Sequence, residues 1–171
     1  MEVWFLYDEN RQLVDTNHLR GDIIEDGLFH ISVGAWLFDG HHFLITQRAS
    51  GKSFEGTWEN TGGNAIKEET SLMAILREVQ EEVGLKVENP LLISSDIDEV
   101  NQCIFDTYFI YVKNGFKDVE IDHREVAGFQ CLAYNELEEL MLSDCVCEII
   151  KARFKQNKGL IKEISNGYTS V

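Results

Sequence analysis

Proline is nearly absent: Pro90 is the single one in 171 residues. No proline-rich linker therefore divides the chain, and no low-complexity tract or internal repeat does so either. Basic charge is also scarce. Lys and Arg number 15 against 30 Asp and Glu, a formal charge of −15. A protein that binds a nucleic-acid duplex needs a basic footprint, and none is present. The same acidity argues against an anionic membrane as the main partner. No apolar run is long enough to span a bilayer. The opening "MEVWFLYDEN" lacks the basic region and small-residue cleavage site of a secretory signal. The four cysteines, Cys103, Cys131, Cys145 and Cys147, form no CxxC pair, and no histidine spacing completes a zinc site. Cys145 and Cys147 are too close for an ordinary structural bridge. The expectation is reduced, mostly buried thiols in a cytoplasmic protein.

What is abundant is core material. Apolar residues make up 44% of the chain and aromatics 11%, enough for a packed interior at this length. Strand-like runs come early, at "VWFLYD", "HISVGAWLF" and "HFLITQR", the last two joined by a hairpin turn at Asp39-Gly40. A glycine-bearing loop, "GTWENTGGN", leads to a helix near residues 70–83 that stops at Gly84. Beyond Pro90, "LLISSDIDEV", "CIFDTYFIYV" and "EVAGFQCLAY" are further strands. The tail holds a short helix and a longer one, and Val146, Ile149, Ile150 and Phe154 on it recur at helical spacing as a core stripe. Strands on both sides of a central helix predict an α/β (α+β) fold with a mixed sheet and helices on its faces. The whole chain, 1–171, is expected to be one domain: N-terminal strands over 1–27, a core over 28–140, and a C-terminal helix and tail over 141–171.

The central helix poses a chemical question. Leu72, Ile75, Leu76, Val79 and Val83 form an apolar stripe, and Glu78, Glu81 and Glu82 are expected off it. These acids stand three and four residues apart, so their carboxylates meet above one surface and repel. A charge run of this kind is usually a solvated helix face. Alternatively it is an oxygen-rich site for a hard cation, which would relieve the repulsion.

The neighbouring residues favour the second reading. From Gly63 the chain runs "GNAIKEETSLMAILREVQEEVGL". This resembles the signature of the Nudix hydrolases, with Gly63, Glu69, Arg77, Glu78, Val79, Glu81, Glu82, Gly84 and Leu85 all in place. From ordinary residue frequencies, a chance match of this length is roughly a one-in-a-million event. The resemblance implies an α/β/α sandwich with a mixed central sheet. It implies hydrolysis of the pyrophosphate linkage in a nucleoside diphosphate derivative, with Mg²⁺ or Mn²⁺ as cofactor and water attacking phosphorus. Glu78, Glu81 and Glu82 are then metal ligands, with a backbone carbonyl at Gly63, beside Gly62, as a further one. Glu81, Glu82 and Arg77 are catalytic candidates. Arg77 and Glu69 support the ligands through charge-assisted hydrogen bonds. Many family members recruit another glutamate from a later loop. "DVEIDHREVAGF" offers Glu120, Glu125, Asp122 and His123, with Glu120 preferred.

Upstream, "FLITQRASGKSFEGTWENTGG" resembles the run that precedes this signature in many family members. Arg48 and Trp58 are candidate substrate contacts. The alternatives are a loop-organising or strand-end cation for Arg48 and core packing for Trp58. Asn60-Thr61 replaces the Leu-Pro of several subfamilies, and the markers of the ADP-ribose, coenzyme A and NADH enzymes are missing, so the substrate's second moiety stays unread. "RGDIIEDGLFHISVGAWLFD" and "TWENTGG" look nearer the isopentenyl-diphosphate isomerase branch. Those enzymes carry a catalytic cysteine and a metal-binding histidine where Gly62 and Asn64 stand here. An isomerase-like enzyme and a non-catalytic nucleotide sensor remain as alternatives. Expected partners are a small phosphorylated molecule and, since such proteins often pair, a second copy of the chain. Neither a nucleic-acid duplex nor a membrane is expected.

Overall fold

The computed structural model describes residues 2–169. In chain order the elements are β1 (Val3–Tyr7), β2 (Leu13–Leu19), β3 (His30–Phe38), β4 (Phe43–Arg48), β5 (Trp58–Glu59), β6 (Thr61–Asn64), α1 (Ser71–Val83), β7 (Leu91–Asp98), β8 (Cys103–Tyr111), β9 (Val126–Leu132), α2 (Tyr134–Met141) and α3 (Glu148–Thr169). β1 and β2 form a separate antiparallel pair, and the other strands build one mixed sheet.

The sheet is organised around β3. Its side chains alternate between two buried faces. Ile31, Val33, Ala35 and Leu37 join Ala74, Ile75, Val79 and Val83 of α1 in one apolar layer. Trp36 and Phe38 join Phe43, Phe109, Leu137, Ile150 and Phe154 in the other, under α2 and α3. The result is the expected α/β/α sandwich. β3 runs parallel to β8 along its whole length, from His30 opposite Cys103 to Phe38 opposite Tyr111. Both strands are covered on two sides, which is why they are almost continuously apolar.

One irregularity creates the site. β3 and β4 pair only at Leu37–Leu44 and Phe38–Phe43, next to their turn, and then splay apart. The stretch expected to be a loop fills the gap as two short strands: β5 pairs with β4, and β6 pairs with β3. Asn60 and Thr61, where the chain passes from one to the other, are buried. A Cβ at Gly62 would collide with the Val33 carbonyl oxygen, so only glycine lets β6 approach β3 this closely.

α1 starts at Thr70, whose hydroxyl accepts the Met73 N–H at 3.2 Å, and ends at Gly84 in the left-handed region at φ 71°. Its buried arc differs from the apolar stripe read from sequence. Leu72 is exposed, whereas Ser71, Ala74 and Glu82 are buried beside Ile75, Val79 and Val83. At ~100° per residue, Glu82 falls angularly between Ser71 and Ile75, inside the arc rather than off it. The cysteine expectation is also corrected: all four thiols are free, but only Cys103 is buried.

Candidate active site

The splay between β3 and β4, roofed by the second half of α1 and closed at its far side by α3, encloses a cavity of about 780 Å³. Glu59, Asn60, Gly62 and Gly63 from the wedge strands line it, with Arg77, Glu78, Glu81 and Glu82 from α1. Arg77 organises this wall. Its Nε and Nη2 donate to the two oxygens of Glu69 at 2.7 and 2.9 Å, and Nη2 also reaches the Asn64 carbonyl at 2.9 Å. Nη1 donates to Glu78 at 2.8 Å and Glu81 at 2.9 Å. One guanidinium thus ties the end of β6 to Glu69 in the loop and to Glu78 and Glu81 on the helix. Burial alone pushes the Glu69 carboxyl up, but hydrogen bonds from Arg77 and the Ile66 N–H hold it below its ordinary value.

The most strained acid is Glu82. It is 8% exposed, and Oε2 has no hydrogen-bond partner among the described residues. Burial, then the charges of Glu59 and Glu78, push its carboxyl well above the carboxylate range, against only a backbone N–H from Gly62 and the more distant Arg48. Burial likewise raises Glu78 and Glu59, despite Arg77 beside the first and Arg48 Nη1 at 2.6 Å from the second. Glu82 is thus buried and Glu59 and Glu78 are half-buried, whereas the Glu81 side chain is 55% exposed on Arg77. Glu59 was missed in the sequence. It precedes Asn60 in "TWENTGG", but nothing there marks which face a two-residue strand shows to a cavity.

As the side chains stand, no three His, Cys, Asp or Glu residues among those described are gathered tightly enough to hold an ion. The donor set nonetheless fits a hard cation. It offers an orphaned buried oxygen on Glu82 and two half-buried carboxylates, Glu59 and Glu78, that repel it. Gly63 has no side chain because Glu78 occupies that space: a Cβ there would overlap the carboxylate. The Gly63 carbonyl accepts the Ser32 hydroxyl at 3.2 Å.

Other sequence candidates fall in different places. Arg48 is on the cavity wall, held by Glu59 and by the Ser53 carbonyl at 2.5 Å from Nε. Trp58 is not. Its ring packs with the apolar layer under α2 and α3, and its backbone N–H donates to the Cys145 carbonyl at 2.8 Å. Glu120 is also outside: its N–H bonds the Val83 carbonyl at 3.0 Å, its backbone lies against Gly84, and its side chain is exposed. The loop acids that do reach the wall are Glu125, paired with Lys52 at 2.6 Å, and Asp122. Arg124 holds the Asp122 carboxyl down at about 2. His123 does not line the cavity.

Comparison with known proteins places this geometry. The NUDIX domain family model matches residues 28–146, well over half of the chain. The chain belongs to the Nudix family. An uncharacterized Nudix hydrolase of Listeria monocytogenes is 32% identical over 148 residues, covering 84% of this chain and 86% of that protein. An 8-oxo-dGTP diphosphatase of Proteus vulgaris is 35% identical over 66 residues, covering 39% of this chain and 59% of its own length. Among solved structures, DR0079 from Deinococcus radiodurans superposes with a TM-score of 0.72 at 18% identity, over 90% of this chain and 97% of that one. At that identity the likeness concerns the fold alone. The protein is thus a Nudix pyrophosphohydrolase, of a family that generally works with divalent metal ions. The isomerase likeness of its flanks gains nothing from the site. Gly62, where the isomerases carry cysteine, has no room for a side chain, and Asn64 Oδ1 is engaged with His30 Nε2 at 3.2 Å.

Proposed function

We propose that this Nudix hydrolase cleaves the pyrophosphate linkage of a small nucleoside diphosphate derivative, with Mg²⁺ or Mn²⁺ bound at the Glu59–Glu78–Glu82 face of the cavity. One observation carries the metal requirement. Six basic side chains line the cavity, and each is ion-paired: Arg20 with Glu2, Arg48 with Glu59, Lys52 with Glu125, Arg77 with Glu69, Glu78 and Glu81, Arg124 with Asp122, and Arg153 with Asp98. No cation among the described wall residues is left to neutralise a diphosphate, and the acids outnumber the bases. An added divalent ion would reverse that sign, screen the phosphates and acidify a bound water.

The protein's own groups then have separable tasks. Glu82, Glu78 and Glu59 supply carboxylate oxygens, and Gly63 supplies its carbonyl. Arg77 fixes the rotamers of Glu78 and Glu81 while Glu69 fixes Arg77. Glu81 and Glu125 are solvent-accessible carboxylates on the cavity wall, each steadied by one cation, and one of them takes the proton of the water that attacks phosphorus. We further infer one domain across the chain. The described residues contain no helix long and apolar enough to cross a membrane, and the free thiols suit a reducing, cytoplasmic setting.

The test is a panel of nucleoside diphosphate derivatives incubated with Mg²⁺ or Mn²⁺, with phosphate read after phosphatase coupling. Turnover is expected only with metal, and Glu82→Gln is expected to lower kcat at least about 100-fold. Turnover that survives chelation, or persists unchanged in Glu82→Gln, overturns the proposal. Metal-dependent thermal protection without any turnover would instead make the domain a sensor.

A further inference from the structure

The wall opposite the carboxylates is built differently. Phe105 of β8 lies over Gly34 of β3, where a Cβ would come within 2.8 Å of the phenyl ring. The Arg153 guanidinium of α3 rests on that ring, its Cζ 3.4 Å from the centroid. Arg153 Nη2 donates to Asp98 Oδ2 at 3.3 Å and comes within 4.0 Å of Cys103 Sγ. Its Nε and Nη1 donate to nothing among the described residues. The side chain is 21% exposed and lines the cavity with Phe105 and Ile150.

These features define a recognition element. Three constraints (ring, carboxylate and helix) fix the guanidinium plane before any ligand arrives, so little side-chain freedom remains to be lost on binding. Asp98 already balances its charge, so the site does not attract a second phosphate as a free cation would. What it offers is a flat surface with unused N–H donors, set in an apolar wall. That matches a neutral planar heterocycle carrying acceptors on one edge.

We propose that Arg153, held by Phe105 and Asp98, is the specificity-determining residue of this cavity and binds the nucleobase of the substrate edge-on, by donating to its acceptor atoms. This rests on the nucleotide reading above. The diphosphate would lie towards Glu78 and Glu82, and the base towards α3. A base with adjacent acceptors, such as the O6 and N7 of guanine, uses two of the guanidinium donors at once.

The test separates the two claims by using nucleosides, which have no phosphate and need no metal. Guanosine, adenosine, cytidine and uridine are titrated calorimetrically into wild type, Arg153→Gln and Arg153→Lys. At least one is expected to bind wild type and to weaken about tenfold or more in both variants, since lysine keeps the charge but not the planar fork. With the corresponding nucleotide substrate and metal, KM is expected to rise about tenfold in the variants while kcat stays within about twofold. Should Arg153→Gln melt below the assay temperature, Arg153→Lys carries the comparison. No nucleoside binding by wild type, undiminished binding in the variants, or an equal loss in kcat would overturn the assignment. A wild type that binds nucleosides but hydrolyses nothing would sink the hydrolase reading and leave this one standing.

Discussion

Gly62 and Gly63 are adjacent in sequence but face unlike neighbours, and the difference separates stability from activity. A methyl group at residue 62 would strike the Val33 carbonyl oxygen and Gly34 Cα, which belong to the sheet and cannot rotate away. Gly62→Ala is therefore expected to lower stability by about 1–3 kcal/mol, read as a fall in melting temperature. A methyl group at residue 63 would strike the end of the Glu78 side chain, which can swing aside. Gly63→Ala is expected to hold its melting temperature within about 2 °C but to lose metal affinity and turnover together, because Glu78 leaves its place. Equal effects of the two changes in either measurement would refute the distinction. Glu82 extends the logic. A buried carboxylate facing Glu59 and Glu78 with an orphaned oxygen destabilises the metal-free fold. Its neutral isostere in Glu82→Gln should raise the melting temperature without metal, while abolishing the extra stability that Mg²⁺ or Mn²⁺ gives wild type. Calorimetric scans with and without metal check both signs.

At the scale of the element, α1 shows what periodicity can and cannot reveal. Counting apolar residues placed Leu72 on the core face and the glutamates off it, because the count assumes that buried positions are apolar. Here Ser71, Glu78 and Glu82 hold part of the inward arc for the sake of the cavity, so the helix is turned relative to its apolar stripe. Ile75→Ala should thus cost about 2–5 kcal/mol, whereas Leu72→Ala, at an exposed position, should stay within about 0.5 kcal/mol. Denaturant unfolding of the two variants decides between the stripe and the arc. The carboxylate signature was legible because its spacing is chemical; β3, β4 and β8 were legible because they are long and apolar, and β7 and β9 because each opens on apolar residues after a turn signal. β1 was legible too, as "VWFLYD", but β5 and β6 were not, since two residues and a pair of glycines carry no alternation. Nor was β2, "LVDTNHL", whose side chains are mostly exposed and polar. Gly159 and Gly167 lie within the long tail helix α3. The helix runs through both to Thr169, because Ile161 and Ile164 pack on the layer beneath and the Tyr168 ring stacks on Tyr111 at 4.2 Å. Arg153, on that same helix, was invisible for a related reason: its partners Asp98 and Phe105 are about 50 residues away and meet it only through the sheet.

Over the whole molecule, the β1–β2 pair is fastened to the sandwich beside the active-site wall. Tyr7 and Phe29 exchange backbone hydrogen bonds at 2.9 and 2.8 Å, and Arg11 reaches the buried Asp106. Trp4 lays its ring on His30 with centroids 4.2 Å apart and planes inclined by 16°. His30 is the joint: it begins β3, carries Trp4, and contacts Asn64 at the end of β6. Burial lowers its pKa below 6.5, opposed by the Asn64 contact and reinforced by the nearby charges of His18 and Arg20. The sign follows from proton counting. Between the folded value and 6.5 the unfolded chain holds a proton that the folded chain does not, so stability falls as pH drops through that window. The raised carboxyls of Glu59, Glu78 and Glu82 act oppositely, favouring the fold when they are protonated. A wild-type profile alone therefore mixes two trends. Comparison with His30→Phe isolates one: phenylalanine keeps a ring against Trp4 but cannot titrate. From pH 7.5 down to 5.5, about one unit either side of that value, the wild-type melting temperature is expected to fall relative to that of His30→Phe, and the gap should close again at higher pH. Parallel curves would mean that His30 stays neutral in both states or that the joint opens without cost, and the coupling of the hairpin to the active-site wall would then have to rest on Arg11 and Asp106 instead.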